Sequence, residues 1–179
     1  LQDVQALKQD LLDVDIIASV TTILDVPLIQ SPPVTLSEVA QDTRTLLDPG
    51  TDREMARQEF KTSPLYRNLL VSPDGSTTAI QGTLTTVPDL GRLLEERNRL
   101  RQAAAQGELT ADQSERLAEV SQRYDQLSET RQAEISDGIA QIRTIMDGYR
   151  DNADLFLGGV PMIASDMIDF VRSDIEIFS

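Results

Sequence analysis

Apolar positions recur along this chain in two rhythms. From Leu1 to Asp13, Val4, Leu7, Leu11 and Leu12 fall at helical spacing with Asp3, Lys8 and Asp10 between them, which predicts an amphipathic helix. From Val14 to Leu24 the side chains turn β-branched (Ile16, Ile17, Val20, Thr21, Thr22, Ile23), which predicts a strand bounded by Pro27. Leu65 to Ser72 and Thr77 to Thr86 are two further strand-like runs. Pro73-Asp74-Gly75-Ser76 joins them with the residues a tight turn requires. Residues 153–157 read as one more short strand, ended by Gly158-Gly159-Val160-Pro161. The pattern predicts an α+β domain in which the hairpin strands pair with strands near 15–24 and 153–157.

Between these lie the helices. Gln30 to Pro33 reads as a loop. Thr35-Leu36-Ser37-Glu38 matches a capping box opening a short helix, and Thr51-Asp52-Arg53-Glu54 matches a second, opening a helix to about Lys61. From Pro88 the character changes. Leu90, Leu93, Leu94, Arg97 and Leu100 form one stripe, interrupted at Gln106-Gly107-Glu108. Thr110-Ala111-Asp112-Gln113 then caps a long helix striped by Leu117, Val120, Tyr124, Leu127, Arg131, Ile135, Ile139, Ile142, Met146 and Tyr149, close to a heptad repeat. An antiparallel helical hairpin over 88–148 follows, inserted into an α+β domain made of 1–87 and 149–179. Gly107 marks its tip, and Ile135 to Met146, beyond the reach of the shorter helix, are expected to pack on the sheet. Glu95–Arg99, Asp112–Arg116 and Glu119–Arg123 add i,i+4 pairs. The last helix, from Met162, keeps Ile163, Met167, Phe170, Val171, Ile175 and Phe178 on one face, and that face does not fade toward Ser179. It reads as the lead-in to something more hydrophobic, and both ends of the chain read as cut from a longer protein.

Composition narrows the chemistry. The 179 residues contain no cysteine, histidine or tryptophan. That removes thiolate nucleophiles, imidazole bases, disulfides and soft metal sites, and leaves only all-oxygen cation binding. Thirty acids against 16 bases give a net charge of −14, with no overall positive footprint for nucleic acid or an anionic membrane. The bases are almost all arginine, and eight arginines fall in 88–149, so that segment is much closer to neutral than the rest. No apolar run approaches the roughly 20 residues of a membrane span.

No motif survives as a catalytic one. Asp13-Val14-Asp15 lacks the glycine and the closing glutamate of a calcium loop, and reads as a solvated helix end. Asp48-Pro49-Gly50-Thr51-Asp52 reads as a turn with a helix-cap acid. Gly158-Gly159 lacks the spacing of a phosphate cradle. Tyr124 reads as core, and Arg131, within the apolar stripe, as snorkelling or pairing across the hairpin. Arg97, Arg99, Arg101 and Gly107 remain as a candidate interaction tip. Neither an enzyme nor a cofactor or metal site is expected.

Three stretches carry a resemblance. They are Val20-Thr21-Thr22-Ile23-Leu24-Asp25-Val26-Pro27; Ser63-Pro64-Leu65-Tyr66-Arg67-Asn68-Leu69-Leu70-Val71-Ser72-Pro73-Asp74-Gly75-Ser76-Thr77-Thr78-Ala79; and Leu157-Gly158-Gly159-Val160-Pro161-Met162-Ile163-Ala164-Ser165-Asp166-Met167-Ile168 with the helix to Phe178. Together they resemble the first extracytoplasmic loop of bacterial resistance–nodulation–division (RND) exporters of the MMPL-like or Patched-like type. The resemblance implies a porter domain with a ferredoxin-like, split βαβ sheet and helices on one face. It implies a position on the periplasmic side of the inner membrane and a last helix leading into a transmembrane segment of the same parent chain. It also implies proton-driven export of a hydrophobic or amphiphilic, lipid-like substrate. The family's loop carries a strand before its first helix; Leu1 already sits in that helix, so this strand is unaccounted for. Proton-relay residues would lie outside this chain.

Two other classes stay open at the level of sequence. One is an extracytoplasmic sensor or ligand-binding domain of a membrane receptor. The other is a protein-interaction module whose hairpin joins a second copy or an accessory protein. No nucleic-acid partner is expected in any of the three.

Overall fold

The computed structural model describes residues 1–29 and 44–177. The expected loop at 30–33 and the capping box at 35–38 lie outside them. Among the described residues the fold is mixed α+β, with five helices and a two-stranded antiparallel sheet. In chain order the elements are α1 (Gln2–Leu12), β1 (Ile17–Thr21), α2 (Arg53–Thr62), β2 (Gln81–Leu84), α3 (Pro88–Ala105), α4 (Ala111–Asp147) and α5 (Val160–Ile177). The chain divides into two compact units, Leu1–Leu84 with Ile145–Asp154, and Thr85–Thr144 with Leu155–Ser179. The last helix thus falls with the hairpin rather than with the sheet.

In the first unit β1 and β2 pair through Ile17↔Leu84, Ser19↔Thr83, Val20↔Gly82 and Thr21↔Gln81, with an irregularity between Ile17 and Ser19. A Cβ on Gly82 would stand 3.3 Å from Ile17 Cδ1, so glycine lets that side chain lie across the partner strand. The core gathers Leu24, Leu28, Leu46, Ala56, Phe60 and Tyr66, with the Phe60 and Tyr66 rings 5.3 Å apart and tilted. Tyr66 donates its hydroxyl to the Pro27 carbonyl, and buried Glu59 accepts from Ile29 N at 2.7 Å, so both tie the segment after β1 to α2 and its following loop. Lys8 pairs with Asp25, and Tyr149 donates to Asp10 at 2.5 Å, fastening α1 to residues far along the chain.

Three sequence expectations need correction. The strand expected over 14–24 is only five residues long, because Ile17 N bonds back to Val14 O and Asp25 N to Thr22 O, closing turns at both ends. The run 65–72 is not a strand. The Tyr66 carbonyl accepts the N–H groups of Leu69, Leu70 and Val71, and Asn68 adopts φ 63°, so the backbone spends its donors locally. Only isolated bridges remain, Arg67↔Val71 and Val71↔Thr78. Residues 153–157 form no strand either. Asn152 and Ala153 bond back to Tyr149 O, and Phe156 is 92% exposed, without the two-sided cover a sheet strand would have. The turn itself forms as read: Gly75 has φ 74°, and its N–H bonds to Ser72 O at 2.9 Å.

Candidate interaction surfaces

The second unit is built around α3 and α4, which run antiparallel about the turn at Gly107 (φ 75°). The N-terminal end of α4 is closed by the expected capping box: Gln113 N bonds to Thr110 Oγ1 at 3.3 Å and Thr110 N to Gln113 Oε1 at 2.9 Å. The box read at Thr51–Glu54 is displaced by one residue. Asp52 is the cap, accepting from Glu54 N and Met55 N, while Thr51 Oγ1 donates to Thr45 O.

The hairpin seam is apolar at Leu100 and Val120 and polar beside them. Arg97 lies over the Tyr124 ring at 3.7 Å and pairs with Asp125 at 3.2 Å; its side chain is only 12% exposed. Its Nε is buried with no partner among the described residues. Arg116 crosses to Glu96 with two bonds, 2.8 and 3.1 Å, and also holds Glu119. The Arg116 hydrogen bonds hold Glu96 below the ordinary glutamate range, and those same carboxylates raise Arg116. Arg116 therefore pairs with Glu96 across the hairpin, not with Asp112 along its own helix as the i,i+4 spacing suggested.

Of the residues predicted for an interaction tip, Arg99, Arg101 and Gly107 are exposed. Arg97 is not: it is turned into the seam, where the tyrosine face and Asp125 occupy it. Arg99 and Arg101 are thus left exposed on α3, while Arg97 is taken up by the seam. Arg131 is drawn inward too, donating to Thr85 O at 2.5 Å and Thr85 Oγ1 at 3.0 Å and pairing with Glu134, so it clamps the base of the hairpin.

Within the second unit α4 meets α5. Ser136 and buried Ser165 share a hydrogen bond at 3.1 Å, and Arg143 pairs with Asp166 at 2.7 Å. Small hydroxyl residues let the two helices lie close. With Ser165 inward, the opposite face of α5 is left uncovered: Val160 is 80% exposed, Met167 64% and Phe170 67%, with Ile163 and Val171 also exposed. The sequence showed this stripe but not which face of the helix would be used up by α4.

Among the described residues no group of acids is placed to hold a metal ion. Asp48 instead accepts from Thr45 N and Oγ1, bonds that lower its pKa, and Asp52 serves as a helix cap. Gly159, at φ 125°, starts the turn into α5. No described helix is long and apolar enough to cross a membrane. No family model matches the chain, and neither does any curated protein or solved structure.

Proposed function

We propose that this chain is an extracytoplasmic porter domain of a proton-driven RND-type exporter, on the periplasmic side of a bacterial inner membrane. It would work by conformational change, not by catalysis, on a hydrophobic or amphiphilic, lipid-like substrate. The observation that carries the reading is the exposed apolar row on α5, from Val160 through Ile163 and Met167 to Phe170. A helix apolar on a solvent-facing side normally meets another surface. Under this reading that surface belongs to the transmembrane part of the same parent chain, into which α5 leads. The sequence resemblance in 20–27, 63–79 and 157–168 supports the same assignment. The β1–β2 pair is then part of a ferredoxin-like, split βαβ sheet, and the α3–α4 hairpin is an insertion whose tip, with Arg99 and Arg101, joins a second copy or an accessory protein.

The reading is tested with the parent protein in proteoliposomes. An imposed proton gradient should drive extrusion of a fluorescent amphiphile, and a protonophore should stop it. A parent chain with two membrane spans and a signalling module, or proteoliposomes with no gradient-dependent extrusion, would overturn it.

A further inference from the structure

A two-stranded sheet leaves one edge of each strand without a partner, and β2 is the more open of the two. Among the described residues its one strand neighbour is β1. The bridge between Val71 and Thr78 and the bond from Ala79 N to Leu70 O reach no further along the run than residue 79. Gln81, Gly82 and Thr83 are all exposed, so nothing described covers the second edge of β2. Folded proteins protect such an edge with a charge, a proline or a bulge. β2 carries none of them, and the irregularity of the pair lies in β1, between Ile17 and Ser19. Gly75 to Pro88 is the longest run of the chain without a charged residue, although 26% of all residues are charged.

Two features select the occupant of that edge. The first is charge. Each chain carries −14, and screening confines the repulsion between two copies to about 8 Å at physiological salt. Along the uncharged run two copies can pair without setting like charges opposite each other. A charged peptide would find no complementary side chain there. The second feature is the symmetry of the run. Antiparallel pairing of β2 with its own copy, about a two-fold axis at Gly82, sets Gly82 against Gly82, Gln81 against Thr83 and Ile80 against Leu84. Within one chain Ile17 already stands opposite Leu84, and a Cβ on Gly82 would meet Ile17, so Ile17, Gly82 and Leu84 share a face. Alternation adds Ile80 to it. Ile17, Ile80 and Leu84 are each half-buried. Pairing on the Gly82 axis extends them into an apolar row, Ile17–Leu84–Ile80, present twice by symmetry. An axis at Gln81 would set Leu84 against Thr78, and one at Thr83 would set it against Gly82.

We infer that β2 joins β2 of a second copy edge to edge, giving a four-stranded sheet in the order β1-β2-β2-β1 with its two-fold axis at Gly82. Residues 80–84 of each copy bury less than the roughly 1,000 Å² of a stable interface, so the pair is weak and forms at high protein concentration. The inference goes beyond the exporter reading and does not rest on it, because the 179-residue chain alone carries the edge. It is also separate from the hairpin tip, whose contact would use Arg99 and Arg101.

The test is sedimentation equilibrium of this chain from about 10 μM to about 1 mM, a range that brackets weak self-association. The average mass should rise from monomer toward dimer, and association should strengthen with salt, which screens the repulsion between the copies. An interface held by ion pairs would weaken instead. Q81K/T83K sets lysine against lysine twice across the axis. It reduces the net charge of −14 in magnitude, yet should weaken association at least about tenfold. Q81K/T83E keeps the net charge of the parent and sets lysine against glutamate, so it should restore association. In its own sheet Gln81 stands opposite Thr21 and Thr83 opposite Ser19, so neither variant meets a charge there, and circular dichroism confirms that each is folded. The inference falls if the chain stays monomeric over the whole range, if salt weakens association, if Q81K/T83K associates like the parent, or if Q81K/T83E fails to recover. It also falls if I163S/M167S on α5 or R99Q/R101Q on α3 abolishes association while Q81K/T83K does not, a result that would leave the exporter reading standing.

Discussion

The α3–α4 hairpin and the segment 63–86 were read from equally regular patterns, yet only the hairpin formed as its pattern suggested. In the hairpin the partner of each helix is the next element along the chain, so periodicity names both the element and its neighbour. In 63–86 alternation marks extended chain but says nothing of what it pairs with. Gln81–Leu84 found β1, sixty residues upstream, whereas 65–72 was captured by the Tyr66 carbonyl and folded into turns. Local rhythm specifies elements; their partners are decided by non-local competition for backbone donors and apolar surface.

The comparison can be pressed by mutation. Phe60→Ala removes the aromatic centre of the first unit's core and should cost about 3–5 kcal/mol, whereas Val120→Ala in the hairpin seam should cost about 2 kcal/mol. Urea unfolding checks both. A Val120→Ala loss equal to that of Phe60→Ala would mean the narrow seam carries as much stability as the clustered core.

The same contrast explains what was legible. Helix bounds were, because caps and periodicity are local: Pro88 to Ala105 and the Thr110–Gln113 box stand where they were read. Arg131 interrupts an apolar stripe, which signals a side chain that snorkels or pairs but not that it meets Thr85, whereas Arg97, expected at the exposed tip, instead meets Tyr124 and Asp125. Those partners depend on the register between elements. The packing of α5 on α4 was not legible, since Ser136 and Ser165 carry no pairing signal in sequence. The sheet was only half legible for the reason already given for 65–72.

Smaller effects sharpen the contrast. Gly75→Ala should cost about 1–2 kcal/mol, because φ 74° is unfavourable for a residue with a Cβ. The added Cβ would also fall 2.7 Å from Lys61 Cε, a flexible stem that can move aside. Thermal unfolding measures it, and an unchanged midpoint would show that the turn contributes nothing. Glu96→Gln should destabilise only slightly, an effect that high salt abolishes, since the pair with Arg116 is partly exposed. A salt-independent loss would place that pair among the buried contacts.

The pH dependence is the finest probe. Hydrogen bonds from Ser72, Ser76 N and Ser76 Oγ hold Asp74 down to about 2, below its ordinary 3.8. A depressed carboxylate stabilises the fold above its unfolded pKa, and that contribution disappears as pH falls through about 2. Tyr149 behaves in the opposite sense. Its bond to Asp10 is the main cause raising it, so its contribution is present below about pH 10 and lost as pH rises further. Asp74→Asn should flatten only the acid limb of the stability profile, and Tyr149→Phe only the alkaline limb.

The exporter proposal puts this domain on the outer side of the inner membrane. The chain has no cysteine, so a single Gln106→Cys at the hairpin turn gives a unique probe within the domain. In spheroplasts expressing the parent protein with that one thiol, a membrane-impermeant maleimide should label it before lysis, to the same extent as after lysis. Labelling only after the membrane is broken would place the domain on the cytoplasmic side and contradict the account.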